Sequence, residues 1–205
     1  MGMGDDILVV KKEILFKEGE FEGFLPIEKK NYLFIIFNNF EYRERTSELE
    51  EDGAWPQPIP YIWIINQKQK KVFLYKRDVT GNEGRLYEKY SGGVGGHIDK
   101  KTEKNEANPV ISAMMRELKE EVTMDNYPTP KIIGFINLRE GVEEVHFGIV
   151  AVAVTEDEVK PAEDMASGRF YDAEEADSLL SNPESNVERW TQVSWSFIKD
   201  ILLGK

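Results

Sequence analysis

The sequence predicts an α/β (α+β) sandwich, with a sheet packed between helices. Three observations carry that expectation: β-rich runs on both sides of one central helical stretch, the helix itself over residues 109–123, and a closing amphipathic stretch over 187–203. Strands before and after a helix, covered by a last helix, bury their apolar faces most simply in layers. The chain has 205 residues, 40% hydrophobic and 31% charged, enough for one good core and a small extension.

In chain order, residues 7–10 and 13–16 predict short strands, with a turn over 19–23 where Glu, Phe and Gly alternate. Residues 32–37 are apolar enough for a buried strand or a turn of helix, and periodicity does not separate the two. The charged run 41–52 predicts surface. Trp55-Pro56-Gln57-Pro58-Ile59-Pro60 is the clearest break, dividing an N-terminal extension, 1–56, expected to pack on the main domain, from a domain over 57–205.

After the break, runs 61–66 and 71–77 predict a hairpin closed by Gln67-Lys68-Gln69-Lys70. A charged connection, 81–89, leads to the run 90–98. The helix over 109–123 opens on Asn108-Pro109, a good N-cap followed by a residue suited to the first helical position. Ile111, Met115, Leu118 and Val122 give it an apolar stripe. A turn over 125–130 precedes a second hairpin, 131–138 with 145–154. A short strand at 169–171, a helix at 173–180 and the closing helix, carrying Val187, Trp190, Phe197, Ile201 and Leu202, complete the pattern.

Net charge of −12 argues against a nucleic-acid polymer as partner, since phosphate backbones are met by basic surfaces. It leaves room for a small phosphorylated substrate, because a metal can supply local positive charge. With no cysteine there is no disulfide, thiolate nucleophile or thiolate metal site. The opening residues show no basic or apolar leader, and no apolar run is long enough to span a bilayer, so no membrane partner is expected and a cytoplasmic chain is the default expectation. A homodimer stays open.

The chemistry concentrates in Arg116-Glu117-Leu118-Lys119-Glu120-Glu121. Glu117, Glu120 and Glu121 stand at i, i+3 and i+4 and share a face apart from the apolar stripe. Such like charges repel, and near a helix C-terminus the macrodipole disfavours them further. A divalent cation reverses the sign, because Mg²⁺ takes carboxylate and phosphate oxygens together. Arg116, one turn before Glu120, is placed to tie it down. A Glu-rich face by itself reads as solvated; what shifts the balance is Gly95-Gly96-His97-Ile98-Asp99 upstream.

Together these stretches resemble the signature of the Nudix hydrolase family, G-x5-E-x7-R-E-U-x-E-E-x-G-U with U aliphatic. Gly96 matches the first Gly, and Arg116, Glu117, Leu118, Glu120, Glu121 and Met124 match the second half in order. Gly96 and Arg116 are twenty residues apart where the signature has fourteen, which puts a six-residue insertion in the loop 100–107, charged, without apolar anchors and expected to be mobile. Asn108 stands where the first Glu belongs, with Asp99, Glu103 or Glu106 as substitutes, and Thr123 replaces the late Gly. The motif covers about thirty residues, and the strand pattern extends the likeness over most of 58–203.

The resemblance implies a mixed sheet between helices and a metal-dependent hydrolase of a nucleoside diphosphate linked to another group, such as a nucleotide sugar, ADP-ribose or a dinucleotide. It implies Mg²⁺ or Mn²⁺ held by Glu120 and Glu121 with Glu117 assisting, Glu117 or Glu120 in catalysis, and Arg116 orienting a carboxylate. Gly95 and Gly96 would let backbone approach the metal or phosphate. His97 reaches the substrate or makes a structural hydrogen bond. His146 reads as a strand histidine without a chemical role. Glu140, Glu143 and Glu144 supply a ligand or base, or form a solvated hairpin tip. Tyr75, Lys76 and Arg77 meet phosphates or only solvent. Trp190 is expected in the core, with base stacking as the other reading for it and Trp195. A second enzyme reading is isopentenyl-diphosphate isomerase, which uses a related fold, but the chemistry of that family relies on a cysteine and this chain has none. A catalytically weak Nudix-like module that binds nucleotide and regulates a partner is the non-enzyme alternative.

Overall fold

A computed structural model describes residues 2–77, 89–139, 144–162 and 165–205, apart from the side chains of Arg77, Met165 and Ala166. The expected connection 81–89 lies almost wholly outside these residues, as do Glu140 and Glu143. The chain forms an α+β fold with a multi-stranded sheet and helices, as its alternation of periods predicts. It divides into two compact units, one of 1–61, 96–114 and 132–151, the other of 62–95, 115–131 and 152–205.

The elements begin with β1 (Asp6–Val10), α1 (Lys12–Leu15), β2 (Gly23–Pro26), α2 (Leu33–Asn39), β3 (Phe40–Glu44) and a 3-10 turn (Leu49–Glu51). Next come β4 (Gln57–Asn66), β5 (Lys71–Arg77), β6 (Tyr90–Ser91), β7 (Gly93–Val94), α3 (Lys100–Glu103) and α4 (Pro109–Glu121). The chain closes with β8 (Val122–Thr123), β9 (Lys131–Asn137), β10 (His146–Val154), β11 (Lys160–Pro161), β12 (Met165–Asp172), α5 (Ala173–Ser181) and α6 (Arg189–Leu203).

In the first unit, β1 pairs antiparallel with β3, from Asp6 opposite Glu44 to Val10 opposite Phe40. The run 41–52 is exposed or half-buried, as expected, apart from the buried Leu49. Phe40 and Tyr42 alternate with charged residues and meet edge to face at 5.5 Å, while Leu49 joins Ile7 and Val9 in a small core beneath Trp55. Run 13–16 is helix rather than strand: Leu15 and Phe16 donate backbone hydrogen bonds to Lys11 and Lys12, a pattern four residues are too few to announce. Run 32–37, left open by its sequence, is helical. An aromatic core gathers Tyr32, Phe135 and Phe147, whose ring centroids stand 5.3 to 5.6 Å apart.

The loop 100–107 begins with a helical turn. Asp99 caps it by accepting from the Lys101 N–H, and the Glu103 carboxylate accepts from the Asp99 N–H at 2.6 Å, a reciprocal arrangement of the capping-box kind. Glu103 is 1% exposed, and Lys100 and Lys101 pair with Asp6 and Asp5. The loop thus has polar anchors where the sequence shows no apolar ones.

In the second unit, β12 pairs with β5 along its length, and β5 continues to β4 through Ile65 opposite Val72, the expected hairpin. Trp63 is the centre of packing. It donates to the Ser194 hydroxyl at 3.2 Å and lies 5.9 Å from the Trp195 ring. A Cβ on Gly92 would stand 2.1 Å from the Trp63 ring, so this position admits no larger residue without moving the indole. Trp190 and Trp195 are both buried, which suits the core reading of Trp190 and removes Trp195 from base stacking. No helix among the described residues is long and apolar enough to cross a membrane.

Candidate active site and metal centre

Helix α4 starts where its sequence says. Asn108 caps it by accepting from the Ile111 N–H at 3.1 Å. The buried face is wider than the predicted stripe: Val110, Ala113, Met114 and Leu118 are fully buried, while Ile111 and Met115 are half-buried. Glu117 belongs to that buried face and is 6% exposed, so it does not share a solvated face with Glu120. One Arg116 nitrogen donates to both carboxylates, at 2.6 Å to Glu117 and 2.9 Å to Glu120. Burial pushes the Glu117 carboxyl above its ordinary range. Arg116 opposes that shift and the Glu120 charge adds to it. At Glu121 the helix ends, its carbonyl accepting from the Ala162 N–H at 2.9 Å, and β8 takes over where the signature has glycine.

A second cluster lies wholly within the first unit. Among the described residues, one group of three or more histidines and carboxylates brings its donor atoms within 4.8 Å of one another: Glu50, His97 and His146. Glu117, Glu120 and Glu121 do not converge that closely as a set of three. The two imidazoles, which are the chain's two histidines, face each other edge to face at 5.5 Å. The Gln57 amide nitrogen donates to the Leu49 carbonyl, so its oxygen faces His97 Nε2 at 2.7 Å. With the Gln57 oxygen as acceptor, His97 Nε2 is the donor of this pair. Glu50 receives two Arg45 contacts, at 2.8 and 3.4 Å. Burial would raise its carboxyl, but Arg45, His146 and Gln57 outweigh burial and hold it below the ordinary range.

The remaining expected residues have the following partners. His97 is hydrogen-bonded to Gln57, the first residue of β4. Tyr75 is buried and donates to the Gly93 carbonyl at 2.8 Å, and Lys76 lies over the Tyr90 ring at 4.4 Å. Glu144 is exposed, and its carboxylate lies beside Gly53. Sequence reasoning missed Glu50 and Gln57 and set His146 aside. No local signal announced this cluster, which brings the chain's two histidines together through tertiary pairing.

No family model matches the chain. It is 32% identical over 214 residues to the protein YmaB of Bacillus subtilis (strain 168), covering 98% of this chain and 100% of YmaB. The structure superposes on Tm1382, described as a Nudix hydrolase, with a TM-score of 0.76 and 27% identity over 96% of this chain and 100% of that one. A NUDIX hydrolase from Alicyclobacillus acidocaldarius shares the fold at a TM-score of 0.50 and 12% identity, covering 73% of this chain and 92% of that one. With the Arg116–Glu121 helix in place, these likenesses define a hydrolase of the Nudix fold. The chain belongs to the Nudix hydrolase family.

Proposed function

We propose that the chain is a divalent-metal-dependent hydrolase of the diphosphate linkage in a nucleoside diphosphate joined to another group: a nucleotide sugar, ADP-ribose or a dinucleotide. The observation that carries this reading is the Arg116–Glu117–Glu120 arrangement. A carboxylate at 6% exposure is costly, and a second carboxylate drawn onto the same arginine nitrogen adds repulsion. Two anions on one guanidinium leave a local negative charge that a divalent cation would neutralise.

The donor chemistry fits the ion the family implies. Glu117, Glu120 and Glu121 offer oxygen only, the ligand type of Mg²⁺ and Mn²⁺. The bound ion would neutralise charge on the non-bridging phosphate oxygens and lower the pKa of a bound water. Arg116 fixes the rotamers of Glu117 and Glu120, so the carboxylates are ordered before substrate arrives. Water attacks one phosphorus, its proton passes to a carboxylate of this helix, and the bond from that phosphorus to the bridging oxygen breaks. Gly95 and Gly96 let the substrate approach the backbone.

The capping of α3 favours a second reading. Asp99 and Glu103, two substitutes for the missing first Glu, spend side-chain oxygens on α3's own N–H groups. A nucleotide-binding module of low turnover is consistent with that. The test is turnover of a panel of nucleoside diphosphate conjugates with Mg²⁺, with Mn²⁺ and with chelator. Metal-dependent hydrolysis by the wild type, lost in Glu120→Gln, is expected. Metal-independent turnover, or tight binding without turnover, would overturn the hydrolase reading.

A further inference from the structure

The geometry points to a second cation site, built by Glu50, His97 and His146, that takes Zn²⁺ or another borderline transition ion rather than Mg²⁺. It stands apart from the hydrolase reading, since it uses none of the α4 residues and a different donor chemistry.

Two imidazole nitrogens and one carboxylate oxygen are the ligand set of Zn²⁺, Co²⁺ and their neighbours, whereas Mg²⁺ selects oxygen throughout. The three donor atoms lie within 4.8 Å of one another, hence no more than about 2.8 Å from a common centre. Coordination at about 2.0–2.2 Å therefore asks each side chain to move inward by less than about 1 Å. Three protein ligands leave a fourth position for water or another small donor.

The surroundings are those of a metal centre. A ligating histidine commonly gives its other ring N–H to an acceptor, which fixes its tautomer. His97 has this partner in Gln57, itself 0% exposed and anchored on the Leu49 carbonyl. A ligating carboxylate is commonly held by a further hydrogen bond. Glu50 has it in Arg45, at 2.8 and 3.4 Å, and in Gln57, and a carboxylate offers about four acceptor sites in all. The pieces come from different parts of the chain: the 3-10 turn, the start of β4, the segment after Gly96, and the first residue of β10. Core packing alone would be served as well by apolar residues at three of these positions, and it does not call for two imidazoles at 5.5 Å.

The experiment uses the full chain, stripped with chelator and titrated with Co²⁺ and, separately, Zn²⁺. One equivalent of Co²⁺ is expected to produce a visible d–d band that Zn²⁺ displaces and that a large excess of Mg²⁺ does not. Glu120→Gln should keep the band. His146→Gln should weaken Co²⁺ binding at least about 100-fold, and Gln57→Ala, a partner of a ligand, about 10- to 100-fold. Because two histidines account for every imidazole signal in the chain, ring NMR decides the matter if a variant fails to fold. Paramagnetic Co²⁺ should broaden both imidazoles at the first sub-stoichiometric additions. Sharp imidazole signals through one equivalent, or a band unchanged in folded His146→Gln, would overturn the proposal. Loss of the band in Glu120→Gln with sharp imidazoles would do the same by assigning the ion to α4.

Discussion

Glu50 and Glu117 are both carboxylates paired with an arginine, yet the fold drives them in opposite directions. Glu50 has Arg45 on both oxygens, with Gln57 and His146 beside it, and its carboxyl is held below the ordinary range against the effect of burial. Glu117 has one Arg116 contact from a nitrogen it shares with Glu120, and burial wins. An arginine contact alone therefore does not set a carboxylate's charge. The outcome follows from counting donors against burial and like charges. The protein's own donors favour the charged form of Glu50, while at Glu117 they do not offset burial.

The largest effect that sharpens this contrast is on catalysis. Glu117→Gln should lower metal-dependent turnover by about 100-fold or more, since the ion supplies several kcal/mol of transition-state stabilisation. The metal-free protein should melt no lower than wild type, because the substitution removes a buried charge. A large loss of metal-free stability with turnover intact would reverse the roles given to Glu117.

Next in size is Leu118→Ala. Leu118 is 0% exposed beside Glu117, and its truncation should cost about 2–5 kcal/mol in denaturant unfolding. Protein that remains folded should keep its turnover. Equal losses from Leu118→Ala and Glu117→Gln would mean that the carboxylate is a packing residue and the contrast with Glu50 is empty.

Glu50→Gln comes third. It removes a charge that Arg45 already balances, so it should destabilise the metal-free chain by about 1–2 kcal/mol, the opposite sign to Glu117→Gln. Matching melting shifts in the two variants would break the comparison directly.

How much of this was written in the sequence differs between the two carboxylates. Helix α4, its Asn108 cap and the Arg116–Glu120 tie follow from local spacing, which a sequence displays directly. The burial of Glu117 does not, because the apolar face proved broader than a stripe and Met114, not Met115, is its fully buried methionine. Glu50 was invisible in a charged run. Nothing local announces that Leu49 turns inward or that residues 45, 50, 57, 97 and 146 will meet. Such clusters depend on tertiary pairing, as β3 does with β1. Short elements were the least legible. Run 13–16 has too few residues to display a period, and the anchors of 100–107 are ionic contacts rather than apolar ones.

The smallest effect tests the counting rule at a half-buried carboxylate. Asp177 on α5 accepts from Trp195 Nε1 at 2.9 Å and pairs with Lys199 at 2.8 Å, with 40% of its side-chain surface exposed. Its pKa is held below the ordinary 3.8, with the Lys199 hydrogen bond the main cause, Trp195 second and desolvation opposing weakly. A depressed acid pKa stabilises the fold fully above the unfolded-state value. That stabilisation is lost as pH falls through the folded-state value. Asp177→Asn should therefore melt slightly below wild type above about pH 4, with the gap closing as the solution is acidified further. Added salt should shrink the Lys199 share of the gap and leave the Trp195 share, since screening acts on the exposed ion pair. Melting curves from pH 6 to pH 2 at two ionic strengths would check both parts. A gap that stays constant with pH would show that these donors do not distinguish the charged form, and the rule drawn from Glu50 and Glu117 would lose its simplest case.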